Sequence, residues 1–226
     1  MLEREGPGPR RVWIVGAGGH GKVIADLLRA LGHAPIGAVD LRAEAVGRLA
    51  EPLGTHIRMT QADFLAHVER DGSLPEGGEA VIVAVGDNRA RLAVHRALGG
   101  VARPALIHPQ AVVSPSAAIG AGTVVFAGAV VHAAAVVGEA VIVNTRAVVE
   151  HDCRVGDGVH LSPGAILCGG VTVEDGAWVG AGATIIPGVR VGARVMVGAG
   201  AVILVDVPAG ATVVGNPARI IRRTSP

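Results

Sequence analysis

A short polar stretch, Asn144 to Asp152, interrupts a chain otherwise rich in Val, Ala and Gly. His151 is directly followed by Asp152, and a second histidine, His160, comes nine positions after His151. A carboxylate next to an imidazole can accept its N–H, fix its tautomer and leave the other ring nitrogen free to take a proton. We therefore predict that His151 is a general base oriented by Asp152. The alternative role for His151 is that of a solvated histidine at a turn.

The elements that must position these residues repeat every six positions. Steps of six from Ile107 to Ile203 meet seventeen branched aliphatic residues without a change of register. Small or branched residues such as Ala111 and Cys153 follow four positions later. A period of six fits neither an α-helix nor one long strand. It fits short strands joined by corners, in which three strands with their corners close one coil of eighteen residues. We predict nearly six stacked coils, about 4.8 Å apart.

The coil length determines which polar residues can meet. Nine residues are half a coil, so His151 and His160 of one chain are expected on nearly opposite sides. Asn144 precedes His160 by sixteen residues, almost one coil, so these two residues can share a side. A site that uses both histidines would therefore lie between two subunits, with the His151–Asp152 pair from one and His160 from the other. Three equivalent sides suit a cyclic homotrimer.

Residues 11–106 follow a different pattern, in which strands alternate with helices. Strands are predicted at Val12–Val15, Pro35–Val39, Thr55–Met59 and Ala80–Val85, and helices at Lys22–Leu31, Gln61–Arg70 and Asp87–Leu98, with Asp87 as an N-cap. This alternation predicts a small parallel α/β sheet, a Rossmann-like half domain that precedes the all-β repeat.

A glycine loop joins the first strand of this domain to its first helix. Gly16, Gly18 and Gly21 have the spacing of a dinucleotide fingerprint, and Asp40 follows about 20 residues later, as the fingerprint requires. A complete dinucleotide fold needs a second half, for which the chain has no room before the repeat begins. The free N–H groups of the helix start suit a phosphate. We predict a nucleotide-diphosphate sugar here; NAD and a purely structural fold are the alternatives.

The glycine loop, the short α/β domain, the unbroken hexads and the tail Val213–Arg219 together resemble one group of hexapeptide-repeat enzymes. This group contains the sialic acid O-acetyltransferases and the UDP-N-acetylbacillosamine N-acetyltransferases. The resemblance covers about residues 11–222 and implies a left-handed parallel β-helix at residues 107–207. The remaining segments are an N-terminal extension at residues 1–10 and a tail at residues 208–226.

The resemblance also implies the binding residues. The His151–Asp152 pair would be catalytic. The nucleotide sugar would be held by Gly18, Gly19, His20, Gly21, Asp40 and Asn144. Acetyl-CoA would be held by His160, Gly180, Ala181, Gly198, Ala199 and Arg219, with free backbone N–H groups at the corners. Many relatives are expected to have Glu where this chain has Asp152, which is a mild departure from the family motif.

We interpret the chain as an acetyl-CoA-dependent N-acetyltransferase in which the amine of a nucleotide-linked sugar attacks the thioester directly. His160 or a backbone N–H would stabilise the oxyanion. Because the same base serves a hydroxyl, O-acetylation of the sialic-acid type is the main alternative. Two remote alternatives are a non-catalytic scaffold that binds a nucleotide sugar and a γ-type carbonic anhydrase, whose three zinc-binding histidines need closer spacing.

Composition excludes several other classes. The net charge is +1 and aromatic residues make up 2% of the chain, which argues against a nucleic-acid partner. No apolar run approaches about 20 residues without Gly or a charge, which argues against a membrane span. Cys153 and Cys168 lack ligand-like spacing, so we expect free thiols, no metal site and a cytoplasmic location.

Overall fold

The chain forms two compact units, Met1–Leu106 and Ile107–Pro226, of which the computed structural model describes residues 11–223. The expected extension at residues 1–10 and the last three residues of the tail lie outside the described range. Every helix in that range is too short or too polar to cross a membrane.

The first unit is a five-stranded sheet with packed helices. Its strands are β1 (Arg11–Val15), β2 (Ala34–Asp40), β3 (Leu49–Ala50), β4 (Thr55–Thr60) and β5 (Ala80–Val83), in the spatial order β3-β4-β2-β1-β5. Its helices are α1 (Gly19–Ala30), α2 (Gln61–Asp71) and α3 (Asn88–Ala97). All neighbouring strands are parallel except β3 and β4. The predicted α/β half domain is therefore confirmed.

Local sequence signals explain most boundaries of this unit. Strand β5 is apolar and buried, and so are the four residues of β1 that follow the exposed Arg11. The side chain of Asp87 accepts a hydrogen bond from the Ala90 N–H at 2.7 Å and so caps α3, as predicted. Helix α1 begins at Gly19, three residues before the predicted start, because the glycine loop itself forms the first helical turn.

The second unit is built from seventeen two-residue strands at six-residue intervals. They are β6 (Leu106–Ile107), β7 (Val112–Val113), β8 (Ala118–Ile119), β9 (Val124–Val125), β10 (Val130–Val131), β11 (Val136–Val137), β12 (Ile142–Val143), β13 (Val148–Val149), β14 (Arg154–Val155), β15 (His160–Leu161), β16 (Ile166–Leu167), β17 (Thr172–Val173), β18 (Trp178–Val179), β19 (Thr184–Ile185), β20 (Arg190–Val191), β21 (Met196–Val197) and β22 (Val202–Ile203). Strands β23 (Ala211–Val214) and β24 (Arg219–Arg223) follow.

The predicted aliphatic series forms the interior of the coil. The second residue of every strand from β6 to β22 belongs to that series, and from Val125 to Ile203 these side chains are at most 3% exposed. Parallel pairs join residues eighteen apart, as between Val131 and Val149. The coil of three strands is thus confirmed, and the fold is the left-handed β-helix of hexapeptide repeats.

Three sheets form the faces of this coil, and all their neighbouring strands are parallel except β23 and β24, which are antiparallel. The aliphatic face contains β7, β10, β13, β16, β19 and β22, with Val112, Val130, Val148, Ile166, Thr184 and Val202 directed outward. The arginine face contains β8, β11, β14, β17 and β20, with Arg154 and Arg190 directed outward. The histidine face contains β6, β9, β12, β15, β18, β21, β23 and β24, with His160 directed outward.

Candidate active site

His151 and Asp152 lie in the turn between β13 of the aliphatic face and β14 of the arginine face, which we call the His151 corner. Nδ1 of His151 donates to Oδ2 of Asp152 at 2.8 Å, and both side chains are more than 60% exposed. This hydrogen bond raises the pKa of His151 above its ordinary value, against a small opposing effect of burial. Because Nδ1 is the donor, Nε2 is the nitrogen that can accept a proton.

Asp152 has an unusual backbone conformation, with φ at 62°. Glycines occupy the equivalent corner positions of the next two coils, Gly170 and Gly188, and both also have positive φ. Asp enters this left-handed region more readily than most residues, so it can replace glycine here at modest cost. The corner thereby gains a carboxylate directly beside the imidazole.

Two further polar residues lie near this pair. Glu150 precedes His151 on the same corner, and its charge also raises the pKa of His151. His132, one coil earlier, has its Nε2 3.7 Å from Oε1 of Glu150. The charged groups around His151 in the described chain are therefore mainly acidic, which favours its protonated form.

Asn144 and His160 form a second polar group. His160 is on the histidine face, and Asn144 is on the corner between that face and the aliphatic face. Asn144 lies in the turn between β12 and β13, which we call the Asn144 corner. Its Oδ1 accepts the Thr145 N–H at 2.8 Å, and its Nδ2 lies 3.1 Å from Nε2 of His160. The amide therefore donates to Nε2, which assigns the His160 proton to Nδ1. This tautomer favours a backbone N–H over His160 Nε2 as an oxyanion donor.

Trp178 extends this second group and was not predicted from the sequence. Its ring lies 4.9 Å from that of His160, with the two planes tilted by 31°, and its Nε1 donates to Oγ of Ser162 at 2.8 Å. Trp178 follows His160 by eighteen residues and pairs with it in the sheet. Adding one coil length to His160 would have found it.

Within one chain, the two groups lie on different sides of the coil. His151 is on the corner that follows the aliphatic face, whereas His160 is on the histidine face that precedes it along the chain. A single chain thus holds two separate polar groups, each with its own hydrogen bonds.

The glycine loop borders a cavity of about 440 Å³ in the first unit. Its walls are the loop Gly16–His20, the end of β2 at Val39–Arg42 and the segment Ala84–Gly86. Gly18 and Gly19 are open to this space, because a Cβ added at either would meet no protein atom within 4 Å. Neither glycine has a positive φ. The packing of the chain therefore gives no reason for glycine at these two positions, whereas the close approach of a ligand does.

Gly16 and Gly21 are glycines for a different reason. A Cβ at Gly16 would lie 2.6 Å from the Ala84 carbonyl oxygen, and one at Gly21 would lie 2.4 Å from the Gly16 carbonyl oxygen. These two residues allow the loop, α1 and the sheet to pack closely. The glycine loop therefore contains two packing glycines, Gly16 and Gly21, and two that leave the cavity open, Gly18 and Gly19.

His20 borders the same cavity and is held neutral. Burial, together with the nearby charge of Arg91, lowers the pKa of His20 from its ordinary value to about 4. Arg91 is 1% exposed, and its guanidinium donates to the carbonyls of Val85 and Gly86, both at 3.1 Å. Arg91 was not predicted from the sequence, since arginine in an amphipathic helix is usually solvated.

Asp40 is at the edge of the cavity, where it forms an ion pair with Arg42. The backbone N–H and Nε of Arg42 both lie 3.0 Å from Oδ1 of Asp40. This contact lowers the pKa of Asp40, so the carboxylate is charged. A ligand at this edge would meet the Asp40–Arg42 pair rather than an isolated carboxylate.

The prediction of free N–H groups at Gly180 and Gly198 is wrong. The Gly180 N–H donates to the Val197 carbonyl, and the Gly198 N–H donates to the Val213 carbonyl, each at 2.8 Å. The residue that follows each strand still belongs to the hydrogen-bond ladder between coils. The following N–H groups, those of Ala181 and Ala199, have no backbone acceptor among residues 11–223.

Arg219, which was predicted to bind acetyl-CoA, and Arg190 differ in their surroundings. Arg219 is exposed on β24, and its Nη1 donates to the Ala218 carbonyl at 2.9 Å. Arg190 is on the arginine face and pairs with Glu174. Over the part of the chain that the structure describes, no group of three or more His, Cys, Asp or Glu side chains could hold a metal ion.

Two family models match the chain. The PglD N-terminal domain matches residues 11–98, and the bacterial transferase hexapeptide model, of six repeats, matches residues 170–204. No curated protein sequence matches significantly.

Several solved structures are similar over nearly their whole length. PerB from Caulobacter crescentus, in complex with CoA and GDP-perosamine, is 40% identical with a TM-score of 0.82, over 92% of this chain and 96% of PerB. A variant of perosamine N-acetyltransferase from the same organism, with the same ligands, is 39% identical with a TM-score of 0.83, over 92% and 95% of the two chains. The acetyltransferase domain of PglB from Neisseria gonorrhoeae, in complex with acetyl coenzyme A, is 42% identical with a TM-score of 0.84, over 95% and 100%.

Proposed function

Because the chain belongs to the hexapeptide-repeat sugar N-acetyltransferases, we propose that it transfers the acetyl group of acetyl-CoA to the amino group of a nucleotide-linked amino sugar. The observation that carries this proposal is the 2.8 Å hydrogen bond from His151 Nδ1 to Asp152, which leaves Nε2 as a base at an exposed corner. The ligands of PerB support a nucleotide-linked amino sugar as the acceptor class.

The open glycine loop supports the nucleotide part of this proposal. Gly18 and Gly19 leave room for a diphosphate to approach the start of α1, where the positive end of the helix dipole favours an anion. His20 and Gly21 belong to the same turn, and neutral His20 can donate one hydrogen bond without adding charge. The Asp40–Arg42 pair would meet the ribose or the base.

The proposed reaction needs one base and no covalent enzyme intermediate. The nitrogen of the sugar amine attacks the acetyl carbonyl carbon and forms a C–N bond. At the same time, Nε2 of His151 takes a proton from the amine nitrogen. The C–S bond then breaks, and the CoA thiolate can take the proton back from His151. Asp152 stabilises the imidazolium between these steps, as the raised pKa of His151 indicates. A backbone N–H of a coil corner, for example at Ala181 or Ala199, is available for acetyl-CoA.

The proposal includes a homotrimer, because a complete site needs two copies. The Asn144 corner comes directly before the aliphatic face, and the His151 corner comes directly after it. If three copies turn their aliphatic faces toward a common axis, the His151 corner of each adjoins the Asn144 corner of the next. The two corners lie about a third of a coil apart in the chain and hence at nearly the same height.

The surface chemistry of the coil supports this arrangement. Five of the six outward residues on the aliphatic face are Val or Ile, and Val112 is 63% exposed in the single chain. Association would remove this apolar surface from water. Arg146 on the Asn144 corner and Glu150 on the His151 corner would then bring opposite charges together between copies.

The test is acetyl-CoA-dependent thiol release with UDP-, GDP- and CMP-linked sugars, each with and without a free amino group. We expect turnover with an amino sugar and a loss of about 10²- to 10⁴-fold in kcat for His151→Ala. Turnover only with hydroxyl acceptors would replace the proposal with O-acetylation. Nucleotide-sugar binding without turnover would instead indicate a scaffold, with His151 as a solvated corner residue.

A further inference from the structure

Gly169 lies directly against the ring of His151. It follows His151 by eighteen residues and therefore occupies the same corner one coil further along. A Cβ built on Gly169 would lie 2.6 Å from Nε2, 2.7 Å from Cε1 and 3.4 Å from Cδ2 of His151. The edge of the imidazole that carries the proposed base thus rests on the bare Cα of the next coil.

The backbone does not require glycine at this position. Gly169 does not have a positive φ, unlike its neighbour Gly170, whose φ is 69°. The three nearest atoms to the added Cβ all belong to His151. The same corner position carries a side chain in the neighbouring coils, Ala133 before His151 and Pro187 after Gly169. The imidazole is therefore the reason for glycine at position 169.

We propose that Gly169 is a positioning residue that forms, with Asp152, a slot holding the His151 ring in its reactive orientation. Asp152 holds the ring through Nδ1, and Gly169 leaves the space that the opposite edge of the ring occupies. The slot itself is independent of the reaction, but its importance for catalysis depends on the proposed function.

A methyl group in this slot would displace the ring without disrupting the coil. The contact with Nε2 would have to lengthen from 2.6 Å to at least 3.4 Å for an ordinary separation. An exposed side chain can move that far easily, whereas the backbone of the stacked coils cannot. The 2.8 Å hydrogen bond to Asp152 would then be lost or weakened. A misplacement of about 1 Å can cost a reaction roughly 10²-fold.

The charges around His151 determine how its titration would report this movement. Asp152 and Glu150 face it from its own corner, and His132 on the preceding coil contacts Glu150. Gly169 contributes no charge from the following coil. Movement of the ring away from Asp152 would therefore lower the pKa of His151 toward that of a free imidazole.

The experiment is an NMR titration of the His151 imidazole in the full, ligand-free chain, comparing the native protein with Gly169→Ala. We expect the variant to lower the pKa of His151, and the midpoint of thermal unfolding to change by less than about 2 °C. An unchanged pKa would overturn the proposal. This readout needs no turnover, so it stays decisive even if the proposed reaction is wrong.

Two control comparisons and a kinetic measurement make the result specific. Gly99→Ala is the control, because Gly99 has no positive φ and its nearest atom would be 3.8 Å from the added Cβ; it should leave the pKa of His151 unchanged. In kinetics, Gly169→Ala should lower kcat about 10- to 100-fold. In a His151→Ala background, adding Gly169→Ala should leave stability unchanged. A large loss there would show that Gly169 serves the coil itself and would refute the slot.

Discussion

Nδ2 of Asn144 lies 3.1 Å from Nε2 of His160, although sixteen residues separate them in the chain. The coil brings them together because sixteen is close to its repeat of eighteen. By the same rule, His151, only seven residues after Asn144, lies on the next corner. Short spacing in the sequence therefore places residues apart, and spacing of about one coil places them together.

Mixed trimers should recover activity from two inactive variants. His151→Ala removes the base at one corner, and Asn144→Ala removes the polar side chain at the other corner. Each variant alone is therefore expected to be inactive. Trimers reassembled from an equal mixture should recover about a quarter of native activity. A site is intact only where one copy supplies a native His151 and its neighbour supplies a native Asn144, and each condition is met in about half of the cases. Thiol release after joint refolding of the two variants measures this fraction.

The double variant, with both substitutions in one chain, is the control for that experiment. Mixed with native protein, it should yield the same fraction of about a quarter, since both corners of a site must be native. If the two single variants show no recovery after joint assembly is verified, the site lies within one chain and the shared site is refuted.

Asp152→Asn should lower both the activity and the pKa of the base. The amide retains the size of the carboxylate but removes the charge that raises the pKa of His151. The acid limb of the kcat/KM profile should therefore move to lower pH, while the plateau falls by about 10²-fold or more. Rate measurements between pH 5 and 9 test this. An acid limb at the native position would show that Asp152 does not control the base.

Gly18→Ala and Gly21→Ala should separate ligand binding from folding. A methyl group at Gly18 meets no protein atom, so stability should hardly change while the Kd for a nucleotide sugar rises about tenfold or more. A methyl group at Gly21 meets the Gly16 carbonyl at 2.4 Å and should cost about 1–3 kcal/mol of stability. Calorimetric binding and urea unfolding measure the two effects. Unchanged binding in Gly18→Ala would remove the glycine loop from the substrate site.

The stability of the protein should depend on His20 in mildly acidic solution. Its pKa is about 4 in the folded protein, against the ordinary histidine value of 6.5 for the unfolded chain, so between these values the unfolded chain binds a proton that the folded chain does not. The free energy of unfolding should therefore fall as the pH falls, by at most about 1.4 kcal/mol per pH unit from this residue. Well above pH 6.5 His20 is neutral in both states, and its contribution to this dependence disappears.

His20→Gln provides the matched comparison, because glutamine cannot titrate. Urea unfolding at pH 7.0, 5.5 and 4.5 should show a shallower loss of stability in the variant than in the native protein. Parallel losses in both proteins would mean that His20 takes its proton without unfolding, and so is not held neutral by burial.

The fold and the placement of the two histidines on different sides of the coil could be predicted because both depend on counting. One aliphatic residue every six positions specifies the coil, and the coil specifies which side each histidine occupies. The Asp152 contact was also predictable, since adjacent residues at a corner can meet. Trp178 was overlooked although the same counting would have found it one coil beyond His160.

Other features depend on contacts that spacing does not reveal. The ion pair between Asp40 and Arg42 depends on how the chain turns after β2. The burial of Arg91 depends on the carbonyls of the preceding loop. The incorrect prediction for Gly180 and Gly198 came from treating the whole corner as free, whereas the first N–H after each strand still bonds to the next coil.

The unbroken six-residue register makes changes in chain length discrete. Six residues inserted as a strand and corner between His151 and His160 would move His160 to another face and separate it from Asn144. An insertion of eighteen residues would return His160 to the same face, but one coil further along the helix axis, a shift of about 4.8 Å. Whole coils added beyond β22 would leave the His151–Asp152 pair and the Asn144–His160 pair in place. An engineer could therefore lengthen the distal end of this protein in units of eighteen residues, while the segment between Asn144 and His160 permits no such change.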